Sequence, residues 1–384
     1  MSKSRNAWRS LLGALALCGL AACGKPTEPV TFIAEGRPAK LSDWHVLRAD
    51  GGKLKLNAGV MPYELNTPLF SDHAHKLRTL WMPPGQMARY SQQDVLDFPV
   101  GTVITKTFYY PKGEGQVLLQ THSDSSAELK DGALDLSQVR LVETRILVRR
   151  ADGWLALPYV WNAQQTEAEL ARTGDQFTLT LQDASAKRQS FPYVVPNENQ
   201  CASCHMVKLK SKEVQPIGPK ARHLNRDFAY AGSTENQLAH MVKAGFLAGL
   251  PDDMASVQRA ANWLDAAQPL EARARAYLDI NCAHCHNPRG PASNTALNLE
   301  PFLPASRNLG LCKPPVAAGK GTGDHLFGIV PGEPDESIMI FRLASQEGGV
   351  MMPELGRSLV HEEGGKLIRD WIAAMPGSCR DAAR

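Results

Sequence analysis

The residues with the strongest chemical signature are two copies of one short pattern. They are Cys201-Ala-Ser-Cys204-His205 and Cys282-Ala-His-Cys285-His286. Cys-x-x-Cys-His is the attachment signature of a c-type haem. The spacing follows from the chemistry. Two thiols must reach two vinyl groups along one edge of a porphyrin, and the next residue must turn its imidazole onto the iron. Two intervening residues on a helical turn achieve this, and neutral imidazole is a common axial ligand. With 8 Cys and 11 His in 384 residues, random placement gives about 0.005 occurrences of the pattern. Other chemistries for a Cys-x-x-Cys pair are zinc binding, which needs further thiolate or imidazole ligands, and a thioredoxin-like redox pair, which belongs beside a βαβ pattern not seen here. The expectation is two covalently bound haem c groups, on Cys201, Cys204, Cys282 and Cys285, with His205 and His286 as iron ligands.

Four cysteines remain. Cys18 lies within, and Cys23 at the end of, an N-terminal stretch that has Lys3 and Arg5, a short apolar run over 11–20, and then Leu20-Ala21-Ala22-Cys23. A basic start, a short apolar run and small residues before a cut form an export signal, and the run is too short to span a bilayer comfortably. The ending resembles a bacterial lipobox, which implies that Cys23 becomes a lipidated first residue and anchors the chain to a membrane. An ordinary signal cleaved nearby is the other reading. The export signal agrees with haem, since bacterial c-type haem is attached outside the cytoplasm. Cys312 and Cys379 form an even remainder, which outside the cytoplasm usually pairs. The alternative is two free thiols.

The composition is globular: 43% hydrophobic, 21% charged and 7% aromatic, so wholesale disorder and fibrous repeats are excluded. The first 22 residues hold Lys3, Arg5 and Arg9 and no acid; without them the chain has 39 basic and 39 acidic residues. A neutral chain has no global basic field, which argues against nucleic acid as a partner.

These residues need elements to position them. Stretches 95–103, 117–121, 141–150, 154–160 and 177–181 have strand character, with turns at Asp152-Gly153 and Lys112-Gly113 and a short helix over 162–172. Ser71-Asp72-His73-Ala74-His75-Lys76 is the one polar cluster here that could carry chemistry. On a strand His73 and His75 would share a face beside Asp72, but no third ligand is identifiable, and a solvated loop is the commoner outcome. After the linker at Pro196–Gln200, helical periodicity appears over 235–247, 257–267, 270–282 and 361–375. The expected architecture is α+β and multidomain: a β-rich N-terminal domain followed by an all-α cytochrome c-like haem region. The boundaries are a signal peptide over 1–22, a tether over 23–34, a β-rich domain of unassigned role over 35–195, a first haem c segment over 196–268 and a second haem c domain over 269–384.

From 270 onward the chain resembles a class I c-type cytochrome. A helix leads into Cys282-Ala-His-Cys285-His286, a loop-rich middle follows, then Val350-Met-Met352-Pro353 and a closing helix. In that family the first and last helices cross and a Met before a Pro supplies the sixth iron ligand. The resemblance implies Met352 as the distal ligand opposite His286, with Met351 as runner-up. The first motif has no Met-Pro signature after it. His223, His240, Met241 and Met206 are the candidates opposite His205, and an open sixth position is the remaining option. The chain as a whole resembles a bacterial family of dihaem c-type lipoproteins of unestablished role. The resemblance rests on Tyr63-Glu-Leu-Asn-Thr-Pro-Leu-Phe-Ser-Asp72, Glu143-Thr-Arg-Ile-Leu147, Tyr159-Val-Trp-Asn162, Asn236-Gln-Leu238 and the two haem motifs. It implies haem count and domain order but no substrate. The expected function is an exported electron carrier that is lipid-anchored in the periplasm and serves redox protein partners. The alternative is a dihaem oxidoreductase, peroxidase-like, with an open distal site at the first haem.

Overall fold

A computed structural model describes residues 28–123, 125–206, 213–317 and 319–379. Cys23 and the expected signal lie outside the described residues. Six strands form one antiparallel sheet in the order in which they occur along the chain: β1 (Met61–Tyr63), β2 (His75–Trp81), β3 (Val103–Pro111), β4 (Val139–Arg150), β5 (Gly153–Trp161) and β6 (Ala168–Leu170). Successive strand residues face opposite sides, so the sheet sorts its side chains in two. Leu77, Val103, Ile146, Val148, Leu157 and Tyr159 point one way into a core closed by Leu41, Trp44, Leu47 and Leu54. There Trp44 Nε1 donates to Tyr159 Oη at 2.8 Å. The other side carries Leu80, Ile104 and Leu147, which pack against Leu224, Leu238, Met241, Leu247 and Ile280.

That second core contradicts part of the expected architecture. The region from 196 onward is not all-α. Among the described residues strands in several sheets predominate, the seven α-helices are short, and 22% of those residues are helical. A second hairpin, β7 (Asp175–Gln182) and β8 (Arg188–Val195), leads into α1 (Glu198–His205). This helix is capped by Asn197, whose side chain accepts from Gln200 N. A third hairpin follows, β9 (Asp227–Tyr230) and β10 (Ser233–Asn236), then α2 (Gln237–Lys243) and β11 (Leu247–Ala248). β11 pairs in parallel with Ala88–Arg89. The expected helix over 235–247 is therefore shortened at both ends by strand pairing. The backbone polar groups there find partners in neighbouring strands, and local periodicity does not register such partners. The stretch 257–267 forms turns and 162–172 gives β6, so neither is helical. Of 95–103 only Val103 enters a strand.

Beyond 269 the helices are α3 (Leu270–Leu278), which continues as a π-helical turn Asp279–Ala283, α4 (Ile338–Ala344) and α5 (Glu362–Ala373). Between α3 and α4 lie Pro288, Pro291, Pro301, Pro304, Pro314 and Pro315, each without a backbone donor and resistant to helix continuation. The segment is accordingly loops and single 3-10 turns. Helices α3 and α5 meet through Ala274, Tyr277 and Leu278 against Leu367, Ile368, Trp371 and Ile372. Gly364 makes this approach possible, because a Cβ there would stand 2.5 Å from both Tyr277 Oη and His361 Nδ1. Cys312 and Cys379 are bonded, with Cα atoms 5.2 Å apart and a separation of 67 positions in sequence.

Two outcomes follow for stability. Gly364→Ala should destabilise by about 1–3 kcal/mol, the usual cost of overpacking, read as a lower denaturant midpoint with unchanged slope. Replacing Cys312 and Cys379 by Ala should cost up to about 4 kcal/mol on the chain-entropy estimate for a loop of this length. An unchanged midpoint would show that the bridge does not constrain the unfolded chain.

Candidate haem centre

Cys201, Cys204, His205, Cys282, Cys285, His286 and Met352 all line one cavity of about 940 Å³. That is near the upper end of the roughly 300–1,000 Å³ of ligand sites. Helix α1 presents the first motif and the π-helical end of α3 presents the second. The sheet face bearing Arg78, Ile104, Lys106, Arg145 and Leu147 forms a wall. The four motif cysteines are unbonded. Among the described residues no group of three or more His, Cys, Asp and Glu side chains is placed to hold a metal ion.

Both histidines have the tautomer an iron ligand needs. His205 Nδ1 lies 2.8 Å from the Gln215 carbonyl, which can only accept. His286 Nδ1 lies 3.2 Å from Thr295 Oγ1, whose own proton goes to the Ala292 carbonyl at 2.7 Å. In each ring Nδ1 therefore carries the proton and Nε2 keeps its lone pair. This is the outer-shell arrangement that fixes metal-binding imidazoles. Burial pushes both rings down to about 4, so they are neutral at ordinary pH. Five basic side chains, Arg78, Lys106, Arg145, Lys313 and Arg342, line the cavity against one acid, Glu354, a balance suited to the propionate carboxylates of haem. Thiols, free imidazole nitrogens, volume and charge all fit the group.

The two motifs touch. Cys204 lies beside Cys285 and His284, and these neighbours hold the Cys204 thiol below the usual range, while Cys204 and burial push the Cys285 thiol up. His284, the variable residue of the second motif, is 8% exposed and lines the same cavity, and its Nδ1 has no partner among the described residues. Sequence reasoning passed over it because it occupies an unassigned position of the pattern.

Met352 lines the cavity and Met351 does not. The Met352 loop is held by the buried guanidinium of Arg357, which donates to the carbonyls of Met352, Leu359, Arg342, Leu343 and Ser345 at 2.8–3.4 Å. Asp72 completes the clamp by accepting from Ser358 N and Leu359 N, each at 2.7 Å. The polar cluster at 71–76 thus has a positioning role. His75 spends both nitrogens on Glu128 and Thr121, and His73 packs in an aromatic group with Phe70 and His361.

None of the four residues weighed opposite His205 lines the cavity. His223 Nε2 bonds Asp279 Oδ2 at 2.8 Å, His240 bonds Glu235 and stacks on Tyr230, Met241 is buried in the second core, and Met206 forms a backbone bridge with Val214. Comparison with known family models, with curated proteins and with solved structures finds no match.

Asp279 ties the second motif's helix to the helical turn Ala221–Leu224. Arg222 grips it with two bonds of 2.7 Å, and all three partners, Arg222, His223 and Asp279, are buried. Burial opposes ionisation of Asp279, but the bonds from His223 and Arg222 and the charge of Lys220 prevail and hold it well below the carboxylate range. Asp279→Asn should cost about 3–5 kcal/mol, because Arg222 is left as a buried, unpaired charge; a midpoint change below about 1 kcal/mol would remove this role.

Acid should weaken the fold in a definite window. Burial pushes His73 down to about 4 and His361 down to about 3, against about 6.5 in an unfolded chain. The unfolded state therefore binds more protons, and stability is lost as pH falls from about 6.5 towards those values. Asp72, pushed up to about 6 by burial, works the other way between about 4 and 6, offsetting one of the two rings. Denaturant titrations of the His73→Phe, His361→Phe double variant should show a flatter decline between pH 6.5 and 4 than the parent.

Proposed function

We propose that this protein is an exported dihaem c-type cytochrome that passes electrons between redox protein partners in the periplasm. One observation carries the reading: two complete Cys-x-x-Cys-His sets line one cavity. Haem bound at these positions would supply a one-electron couple at each iron. The chain's own residues do the rest. Cys201, Cys204, Cys282 and Cys285 hold the groups by thioether links, so an exported protein keeps them. His205 and His286 offer Nε2 to iron, with Gln215 and Thr295 fixing the rings. Met352, held by the Arg357 clamp, would be the second protein ligand to the iron that His286 binds. Cys23 is proposed as the lipid anchor to the membrane; among the described residues no helix is long and apolar enough to cross one. The protein is proposed to belong with the dihaem c-type lipoproteins it resembles.

A second reading is favoured by one observation. His223, His240, Met241 and Met206 all lie outside the cavity lining, which would leave the position opposite His205 to a small ligand and make the first haem the working site of an oxidoreductase.

Mass spectrometry of the exported chain should show two added haem masses; no added mass removes both readings. Cyanide or carbon monoxide separates them, since spectra that do not respond support the carrier and a shift of one haem supports the oxidoreductase. Met ligation raises potential, so the His286 haem should be the higher of the two, and Met352→Ala should lower that potential while leaving the other in place. A higher potential at the His205 haem would contradict the ligand assignment.

A further inference from the structure

Three cations stand in a row across the sheet face that walls the cavity. Arg78 on β2 is directly opposite Lys106 on β3, and Lys106 is directly opposite Arg145 on β4. Directly opposed residues have Cβ atoms about 4.5–5.5 Å apart, and like charges so placed repel. Two of the three are compensated. Arg78 pairs with Glu64 at 2.5 Å, and Arg145 pairs with Glu143 through bonds of 2.8 and 2.5 Å. Lys106, between them, has no carboxylate or hydrogen-bond partner among the described residues. Its attractive contact is the face of Phe108, 5.1 Å from Nζ, a ring shared with Lys76 and Arg145, and the charge of Glu143, already paired with Arg145, attracts it less than Arg145 and Arg78 repel it. Lys106 is partly buried and lines the cavity with Cys204 and His205. Burial, then the charges of Arg145 and Arg78, push its ammonium down to about 7. A desolvated cation repelled from both sides is an unfavourable arrangement unless an anion meets it from the open side, and the open side is the cavity.

We propose that Lys106 is an anion-holding position of the first haem site that takes a carboxylate, either a propionate of the haem on Cys201 and Cys204 or a free carboxylate beside it. The proposal deepens the haem reading and rests on it for the first of these sources. A carboxylate there removes the repulsion along the row. It also gives the sheet, whose role the sequence leaves unassigned, a direct part in the redox site.

The test is a crystal structure of the haem-loaded full chain grown without carboxylate buffers, together with the same crystals soaked in acetate. A propionate oxygen within about 3.2 Å of Lys106 Nζ assigns the haem as the source. Acetate on Nζ in the soaked crystals alone assigns a free carboxylate. An Nζ that meets neither in either crystal overturns the proposal. Absence of haem from Cys201 and Cys204 in the same crystals fails the haem reading instead, and the acetate result still decides the anion site. In solution, Lys106→Gln should lower the midpoint potential of one haem, because loss of a nearby positive charge favours the ferric form, and Lys106→Arg should restore it. A folded Lys106→Gln protein with both potentials unchanged also overturns the proposal.

Discussion

Asp279 is a carboxylate removed from water that stays charged because Arg222 and His223 reach it first. The bonds join residues 56 and 57 positions apart. Asp279 begins the π-helical turn that carries Cys282, and Arg222 and His223 lie in the single helical turn Ala221–Leu224. A buried ion pair of this kind adds little net stability over an apolar replacement, but it is costly to break and exacting in geometry. Its consequence here is registration. It fixes where the second motif starts relative to the turn Ala221–Leu224, which packs on the sheet through Ala221 and Leu224.

The sheet supplies the surface on which this registration occurs. One side is apolar and closed by the N-terminal segment around Trp44. The other side would be the solvated face of an isolated antiparallel sheet. Here it is covered in part by residues 221–280 and left in part as a cavity wall. The β-rich region and the first haem segment therefore share a core. Asp72 extends the same logic to the far end of the chain, because it holds the backbone of residues 358 and 359 beside the Met352 loop. Each part of the site is thus fastened to an element distant in sequence.

The two Cys-x-x-Cys-His sets stand out in the sequence because spacing within five residues carries that chemistry, whereas Met352 is implied by the resemblance to class I cytochromes alone. Strands at 141–150, 154–160 and 177–181 were legible as well, since side-chain alternation is a local signal. Other features were not. The helical expectation for the region beyond 196 failed where Ser233–Asn236 and Leu247–Ala248 found strand partners at Asp227–Tyr230 and Ala88–Arg89. Backbone pairing of that kind is decided by what lies alongside, and periodicity within one segment does not contain it. His284, Arg357 and Lys106 carried no signal, since a lone basic residue reads as surface until its neighbours are known.

By itself, the order of amino acids determined which side chains can form thioether links and ligate iron, because those capacities belong to residue types at fixed short spacing. Only the tertiary structure decided that both motifs open into a single cavity, that His223 and His240 are spent elsewhere, and that Arg78, Lys106 and Arg145 stand shoulder to shoulder. Those outcomes depend on strand register and on buried polar groups finding partners across long stretches of chain, and both are set when the separate segments pack.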